Sequence, residues 1–328
     1  MKAVVYTKYG PPDVLQLKEV EKPTPKDDEV LVKVHAVSVN SWDLDLLGGK
    51  PLIFRPLWGL FKPKFKILGS DIAGRVEAVG NKVKQFQSGE EVFGDISTSG
   101  WCGFAEYVCV PEHLLALKSA NMTFDEAAAI PQAGLLALQG LRDKKQIHPG
   151  HKVLINGAAG GVGTFAIQIA KLFGAEVTGV DHTVKLDIIR SVGADHFIDY
   201  TNEDFTKNGK RYDFILDVAA NRSIFDYARA LSSTGIFVMV GGTMPTMLQI
   251  VLLGSLISKI GEKKIGILAW HPSTSDLDHM RELFEAGKVV PVIDRLYPLD
   301  DAAEALRYLG EGHAKGKVII TLEHNNKT

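Results

Sequence analysis

The chain has 328 residues, a formal net charge of −2 and a hydrophobic content of 45%. This length is sufficient for two domains with separate cores, and the charge gives no basic footprint for a nucleic-acid partner. No apolar run reaches the roughly eighteen residues that a membrane-spanning helix needs, so we expect no stable membrane insertion. The two cysteines, Cys102 and Cys109, do not have metal-site spacing. With no signal peptide at the N-terminus, this composition predicts a cytoplasmic protein.

The first part of the chain has the pattern of a mostly antiparallel β domain. Short strand-like segments alternate with turns rich in Gly and Pro, and no helix-strand alternation is visible. The expected strands lie at residues 3–6, 15–20, 30–37, 76–79, 91–93 and 105–110.

From Phe124 onward the pattern changes to alternating helices and strands. Residues 124–143 are rich in Ala and Leu and predict a helical segment broken at Pro131. Six apolar segments then predict strands at 153–155, 177–180, 196–199, 214–218, 236–240 and 265–270. Helices expected near 184–192, 223–231 and 247–257 connect several of them. Strands joined by helical crossovers predict an α/β fold with a doubly wound, six-stranded parallel sheet.

We expect the last segments of the sequence to rejoin the β domain, which is then discontinuous in sequence. We expect a helix at 275–286, strands at 289–293 and 315–322, and a helix at 300–309. The predicted domains are therefore 1–123 with 271–328 for the β-rich catalytic domain, and 124–270 for the nucleotide-binding domain.

The stretch from Val153 to Asp181 predicts a dinucleotide-binding loop. A buried strand leads into a Gly- and Ala-rich turn, a helix follows, and a second strand ends at an acidic residue. We expect Gly160 to turn the chain off the strand, Gly161 to admit a pyrophosphate, and Gly163 to let helix and strand pack closely. The loop residues expected to contact the cofactor are Ala159, Gly160, Gly161, Val162 and Gly163.

The residues after the second strand bear on the choice between NADH and NADPH. The carboxylate of Asp181 can accept from ribose hydroxyls and would repel a 2′-phosphate, which favours NADH. Lys185, or a protonated His182, could instead pair with that phosphate. We therefore predict a nicotinamide cofactor, with a preference for NADH over NADPH.

Several motifs in order along the whole chain resemble those of the medium-chain dehydrogenase/reductase superfamily. They include MKAVVY, VSVNSWDLDLLGG, LGSDIAGRVEAVG, GEEVFGD, GFAEYVCVP, NGAAGGVG, GADHFIDY and the late GKVIITL. The chain is most similar to the zinc-free quinone oxidoreductase branch. The resemblance implies a GroES-like β domain, a Rossmann domain and an active site in the cleft between them.

The same resemblance bears on zinc. Zinc alcohol dehydrogenases place Cys, His and Cys ligands at three motifs, and here those positions fall on Asn40 or its neighbours, Ser70, and Gln132 or Ala133. Such residues cannot form a tetrahedral N/S site. We therefore expect no bound zinc.

Without a Lewis acid, reduction of a simple carbonyl is harder than hydride transfer to a conjugated acceptor. The sequence thus favours an NAD(P)H-dependent reductase of quinones or α,β-unsaturated carbonyls. The candidate catalytic residues are Asn40 beside the nicotinamide, Asp43 as a residue that holds its loop together, and Asp45. Many quinone reductases have a tyrosine where this chain has Asp45. An alternative for Asn40 is a capping role in a local turn.

Further residues complete the predicted site. Additional cofactor contacts are expected from Gln132, Tyr200, Val240, Gly241, Gly242, Ile267, Leu268 and Ala269, and substrate contacts from Trp42, Phe54, Trp58 and Trp101. Residues 50–66 are interpreted either as a substrate wall or lid, or as a small satellite core. Their lysines are interpreted as a solvated face.

The resemblance also implies a homodimer. The strand near residues 263–270 would be the sheet edge through which two copies pair. The helix at 247–257 is apolar nearly all round, so we expect it to be buried at an interface or against the catalytic domain. Two other functions remain open, namely a metal-free alcohol or aldehyde reductase and a catalytically silent nucleotide-binding regulator.

Overall fold

The computed structural model describes residues 1–143, 147–260 and 262–322. Within these ranges the strands are β1 (Lys2–Val5), β2 (Gln16–Glu19), β3 (Glu29–Val39), β4 (Asp71–Val79), β5 (Glu91–Asp95), β6 (Tyr107–Pro111), β7 (Leu115–Leu117), β8 (Lys152–Asn156), β9 (Glu176–Asp181), β10 (His196–Asp199), β11 (Tyr212–Asp217), β12 (Leu231–Met239), β13 (Lys264–Ile267), β14 (Ile293–Pro298) and β15 (Lys317–Thr321). The α-helices are α1 (Ser41–Gly48), α2 (Arg55–Trp58), α3 (Phe124–Ala129), α4 (Pro131–Arg142), α5 (Gly161–Leu172), α6 (Leu186–Ser191), α7 (Ile224–Ala230), α8 (Met244–Ile260), α9 (Thr274–Glu285) and α10 (Ala302–Gly310).

The chain forms two compact units. The first, here called the β unit, contains Met1–Gln132, Pro272–Glu285 and the residues from Ile293 onward. The second, the sheet unit, contains Ala133–His271 and Ala286–Val292. The domain limits expected from the sequence remain a prediction.

The β unit is built on a seven-stranded sheet centred on β3. The strand order is β14-β15-β3-β4-β5-β7, and β6 also pairs with β3. Eight of the eleven residues of β3 are buried, and all but Ser38 of these are Val, Leu or Ala, which suits a strand packed on both faces. β15, near the end of the chain, pairs antiparallel with the last residues of β3. This pairing brings a late segment of the chain to the carboxyl end of β3.

Two local features of the chain differ from the sequence prediction. Helix α1 was not predicted; the Asp43 carboxylate accepts from the Asn40 backbone N–H at its start, and Gly49 ends it with φ 59°. The strand expected at 289–293 is wrong, because the strand begins only at Ile293. The amide side chain of Gln168 bonds both backbone groups of Val290, at 2.9 Å each, and replaces a strand partner.

The sheet unit has the predicted doubly wound parallel sheet. Its order is β10-β9-β8-β11-β12-β13, so the chain runs outward from β8 in one direction and then from β11 in the other. All five strand pairs are parallel. In such a sheet, ligands bind at the carboxyl ends of the two central strands, where the strand order reverses. Here those strands are β8 and β11.

One face of helix α8 is buried in the sheet unit and the other is exposed in the single chain, so its expected burial at an interface or against the catalytic domain remains a prediction. Ile250 is buried in the core of the sheet unit, and Leu253 and Ile257 pack against that core. The opposite face exposes Leu248, Val251, Leu252 and Leu256, by 51 to 71%. The strand next to it, β13, does lie at the edge of the sheet as predicted. In the described part of the chain, no helix is both long and apolar enough to span a bilayer.

Candidate functional site

The β unit buries a cluster of hydrogen-bonded polar side chains around Asn40. This residue lies between β3 and α1, and both ends of its amide are used within the protein. Its Nδ2 donates to Asp71 Oδ2 at 3.1 Å and to Ser70 Oγ at 3.3 Å, and its Oδ1 accepts from Lys317 Nζ at 2.6 Å. Lys317 is the first residue of β15, and only 4% of its side chain is exposed. Asn40 is therefore held in one orientation from three sides.

Asp43 joins this cluster from the first turn of α1. It is fully buried, and its two oxygens accept from the backbone N–H groups of Asn40 at 2.8 Å and Gly69 at 2.9 Å. Burial raises the pKa of Asp43 to about 7, although both backbone hydrogen bonds oppose that shift. This geometry supports the interpretation of Asp43 as a residue that ties α1 to the segment before β4.

Two further carboxyl groups lie buried near Lys317. The Asp71 carboxylate is 3.7 Å from Lys317 Nζ and accepts from the backbone N–H of Gln132 at 3.2 Å. Burial raises the pKa of Asp71, and the nearby ammonium opposes the shift. Burial, followed by repulsion from Asp71, raises the pKa of Asp95 to about 7. Burial also lowers the pKa of Lys317, whereas Asp71 and Asp43 favour its charged form. In this cluster the Lys317 ammonium therefore pairs with Asp71, and burial favours the protonated forms of Asp43 and Asp95.

These residues do not fit a zinc site. Asn40 has no amide end left for a metal, and the Lys317 ammonium, 2.6 Å from Asn40 Oδ1, would repel a divalent cation there. Ser70 offers a neutral hydroxyl, a poor zinc ligand compared with Cys, His or a carboxylate. Among the described residues, no three His, Cys, Asp or Glu side chains are placed to hold a metal ion.

The exposed face of α1 carries two predicted site residues. Trp42 and Asp45 are three positions apart, so they lie on the same side of the helix, and both are exposed. Partial desolvation raises the pKa of Asp45 to about 6. Leu46 and Leu47 anchor the opposite side in the core. Asp45 is thus accessible and half protonated at about pH 6, whereas Asp43 is buried.

Aromatic rings extend this face of α1. The Trp42 ring lies 6.3 Å from the ring of Trp101, which lies 4.8 Å from the ring of Phe65. Trp101 is 7% exposed and has a φ of 62°, a conformation unfavourable for a bulky residue. Backbone strain of this kind persists where packing fixes it, frequently at ligand sites. Trp101 therefore supports Trp42 from the protein side.

Phe54 and Trp58 form a separate aromatic pair. Their ring centroids are 5.3 Å apart, and both residues are half-buried in the segment that contains α2. Trp58 packs against the core of the β unit. Five other apolar side chains of the same segment are exposed, namely Leu52, Ile53, Leu57, Leu60 and Phe61.

In the sheet unit, the predicted dinucleotide loop connects β8 to α5. Gly163 is required as expected, because a Cβ there would lie 2.2 Å from the Gly157 carbonyl oxygen. The sharp turn, however, is made by Gly157, with φ 77°, and not by Gly160, which is extended at φ −80°. A Cβ on Gly160 would meet only one atom, at 3.5 Å. The assignment of the turn to Gly160 was therefore wrong by three positions, within the same loop.

The loop leaves donors facing the carboxyl end of the sheet. Gly160 precedes α5, so the N–H groups of Gly161, Val162 and Gly163 have no acceptor one turn earlier in the helix. Such a helix start attracts phosphate through these donors and its dipole. The Ala159 N–H is already used, since it donates to Asp181 Oδ2 at 2.9 Å.

Asp181 lies at the end of β9 beside this loop. Only 8% of the residue is exposed, and its second oxygen, Oδ1, accepts from the His182 N–H at 2.9 Å. Lys185 Nζ is 4.0 Å from the same oxygen. The ring of Tyr200 packs edge-on against that of His182 at 5.8 Å. The predicted adenosine-binding residues are thus brought together around one carboxylate.

The other predicted cofactor residues follow strands β12 and β13. Val240 and Gly241 both direct their N–H groups to the Asp217 carbonyl oxygen, at 2.8 and 3.4 Å. Gly242 has φ 152°, and a Cβ there would lie 2.2 Å from the Ala220 carbonyl oxygen. Residues 267–269 continue from β13, where the Leu268 N–H donates to the Met239 carbonyl at 2.9 Å. These segments lie at the carboxyl edge of the parallel sheet.

Sequence reasoning missed several buried polar residues. Asp217, at the end of β11, accepts from Asn156 Nδ2 at 2.8 Å across the two central strands, and burial raises its pKa to about 6. Lys317, Asp71 and Asp95 were quoted only as parts of family motifs. The available signal was a charged residue at the end of an apolar strand, such as the lysine in GKVIITL.

Comparisons with known proteins agree with this arrangement. The alcohol dehydrogenase GroES-like domain family matches residues 26–120, and the zinc-binding dehydrogenase family matches residues 192–320. The chain is 36% identical to a 2-methylene-furan-3-one reductase from Solanum lycopersicum, over 98% of this chain and 79% of that protein. It is 34% identical to an NADPH-dependent alkenal/one oxidoreductase from Arabidopsis thaliana, with the same coverage. The quinone oxidoreductase structure from Coxiella burnetii superposes with a TM-score of 0.89, at 29% identity, over 98% of this chain and 99% of that one.

A GroES-like unit and a six-stranded Rossmann sheet, with these relatives, define a medium-chain dehydrogenase/reductase, and the chain belongs to that superfamily. Within the superfamily it lies in the quinone oxidoreductase branch. The family and the fold class predicted from the sequence are both confirmed.

Proposed function

We propose that this protein is a zinc-independent, NAD(P)H-dependent oxidoreductase that reduces quinones or α,β-unsaturated carbonyls. The observation that carries this proposal is the Lys317 ammonium, which donates to Asn40 and pairs with Asp71, beside positions that the resemblance assigns to zinc ligands. The nucleotide loop at α5 supports the cofactor requirement. The substrate class is supported by the names of the similar proteins, which are a 2-methylene-furan-3-one reductase, an alkenal/one oxidoreductase and a quinone oxidoreductase.

The chemistry suits a site without a Lewis acid. Bound reduced nicotinamide supplies a hydride to an electron-poor carbon of the acceptor. In a conjugated acceptor the new C–H bond displaces the π electrons toward oxygen, and a proton then completes the two-electron reduction. The protein must therefore hold a flat acceptor and provide or admit a proton. Neither task requires a metal ion.

The exposed face of α1 can perform both tasks. Trp42 presents an aromatic ring, 44% exposed, on which a planar quinone or enone can stack. Asp45, on the same face, has a pKa of about 6 and can donate the proton. Asn40 acts indirectly in this scheme, because its amide is fully used inside the cluster. It fixes the start of α1 and hence the position of Trp42.

Turnover of a quinone and enone panel with NADH and NADPH, after chelation of metals, tests the proposal. If Asp45 is the acid, kcat/KM falls as pH rises through about 6, and Asp45→Asn removes this dependence. Asp45→Tyr, which introduces the residue found in many quinone reductases, should move this fall in kcat/KM to higher pH. Asp300→Asn, at another exposed carboxylate, is the matched control. Absence of turnover with every acceptor, or reversible oxidation of simple alcohols in its place, would contradict the assigned function.

We also propose a preference for NADH. The Asp181 carboxylate lies at the end of β9, is held by two backbone N–H groups, and would repel a 2′-phosphate. The relative from Arabidopsis thaliana is NADPH-dependent by name, so the two cofactors must be compared directly. Titration should give a lower Kd for NADH, and Asp181→Ser should improve NADPH binding by about tenfold, or roughly 1.4 kcal/mol. An unchanged NADPH affinity in this variant would contradict the role of Asp181.

We further propose a cytoplasmic homodimer that pairs through the β13 edge. Support for the dimer comes from the exposed edge position of β13 and the apolar stripe on α8 beside it. Support for the compartment comes from the two free cysteines. Sedimentation of the wild type and of an Ile267→Pro edge variant would test the dimer. The Leu268 N–H donates to Met239 of β12, so the neighbouring Ile267 N–H faces the open edge, and proline removes that donor. Equal dimerisation of both proteins would contradict pairing through this edge.

A further inference from the structure

Residues 50–66 expose an apolar surface with a strong positive charge. Five of its apolar side chains are exposed to solvent, with exposed fractions between 54% and 87% at Leu52, Ile53, Leu57, Leu60 and Phe61. The same segment contains Lys50, Arg55, Lys62, Lys64 and Lys66 and no acidic residue, although the whole chain carries a net charge of −2. Over the described ranges, none of these five cations forms an ion pair within 4 Å. This set of residues is called the cationic apolar tip below.

The tip is held in a defined shape. Tyr9 Oη donates to the Gly59 carbonyl oxygen at 2.5 Å, and the Lys64 N–H donates to the Trp58 carbonyl at 2.7 Å. Gly59 has φ 112°, and a Cβ there would lie 2.0 Å from the Lys62 carbonyl oxygen. The bend therefore needs glycine at this position. Trp58 packs inward against the core of the β unit, so the exposed side chains are displayed from an anchored base.

We propose that the cationic apolar tip is a peripheral membrane-binding surface for anionic lipids. Apolar side chains can enter the boundary between headgroups and acyl chains, while adjacent lysines bind anionic headgroups. Contiguous exposed apolar patches are uncommon on proteins that remain in water. A second copy of the chain is a poor occupant, because a two-fold interface would bring five cations against the same five cations. The proposal does not depend on the enzymatic function proposed above.

Flotation of the full chain with lipid vesicles tests this surface directly. The protein should float with phosphatidylcholine vesicles that contain phosphatidylglycerol, and not with phosphatidylcholine alone or at high salt. Lys62→Glu with Lys64→Glu should reduce partitioning at least about twenty-five-fold, taking about fivefold for the loss of each lysine charge. Leu57→Ser with Phe61→Ser should also abolish flotation. Unchanged thermal unfolding and NADH affinity would show that these variants are folded.

Matched controls place equivalent changes elsewhere on the surface. Phe225→Ser with Leu296→Ser removes exposed apolar side chains, and Lys84→Glu with Lys210→Glu reverses exposed charges. Both controls should float like the wild type. The proposal is overturned if the wild type does not bind anionic vesicles, or if tip and control variants behave alike. It is also overturned if the tip variants change only the KM for soluble acceptors, which would indicate an active-site lid. A change in self-association alone, without loss of vesicle binding, would overturn it as well.

Discussion

Replacing Lys317 with methionine tests the central feature of the β unit. Methionine has a similar length but no charge, so Asn40 loses the 2.6 Å hydrogen bond and Asp71 loses an ammonium at 3.7 Å. At an effective dielectric constant of about 20, that charge pair alone is worth roughly 4 kcal/mol. Removal of one partner of a buried pair typically costs about 3–5 kcal/mol. We expect a loss of this size in the free energy of unfolding at about pH 8.

The loss should be smaller in acid. Without Lys317, the folded-state pKa of Asp71 rises further above its unfolded value. A raised acid pKa stabilises the fold below the unfolded pKa, and this contribution is lost as pH rises through the folded pKa. Urea denaturation should therefore show a smaller difference between variant and wild type at about pH 5 than at about pH 8.

Two comparisons make this prediction decisive. Lys152→Met, at an exposed strand position, should change the free energy of unfolding by less than about 0.5 kcal/mol. Adding Asp71→Asn to the Lys317→Met chain should restore part of the lost stability, because it removes the unpaired carboxylate. A cost below about 1 kcal/mol, or one that does not vary with pH, would refute the assigned ion pair.

Two further predictions concern the sheet unit. Gly163→Ala places a Cβ 2.2 Å from the Gly157 carbonyl oxygen and should lower both Tm and NADH affinity. Gly160→Ala has room for its Cβ and should change the free energy of unfolding by less than about 0.5 kcal/mol. Equal losses of Tm in the two variants, measured with and without NADH, would contradict this. Asn156→Ala removes the 2.8 Å donor to Asp217, whose pKa is about 6. We expect a cost of about 1–3 kcal/mol that grows as pH rises through about 6, since the ionised carboxylate needs the donor most; denaturation that is independent of pH would exclude this role for the amide.

The predictable parts of the fold were those governed by periodicity and by glycine. The alternation of strands and helices after Phe124 was sufficient for the parallel sheet, and Gly163 was correctly assigned to close packing. Helix α1 could not be predicted from its short apolar pattern, because its start depends on the buried Asp43 carboxylate. Gly157 was missed because a positive φ leaves no mark in sequence that distinguishes it from neighbouring glycines.

The polar cluster was less accessible to sequence reasoning. Asn40 was selected by its motif, but its partner Lys317 lies 277 positions away, and only the pairing of β15 with β3 brings them together. Contacts of such separation depend on topology, whereas local propensity governs capping and turns. The hydrogen bonds that use the Asn40 amide could not be read from its motif, and they underlie the proposed role of Asn40 as a support for α1.

The dependence of Asn40 on Lys317 has a consequence for biosynthesis. A ribosome releases the chain from its N-terminus, so Asp71 and Asn40 emerge long before the strand that carries their lysine. Until β15 has left the exit tunnel, Asp71 of the nascent β unit has no Lys317 ammonium with which it can be buried as an ion pair. We therefore expect a nascent chain that stops before Lys317 to resist complete collapse, and the candidate site to assemble only after β15 has been translated.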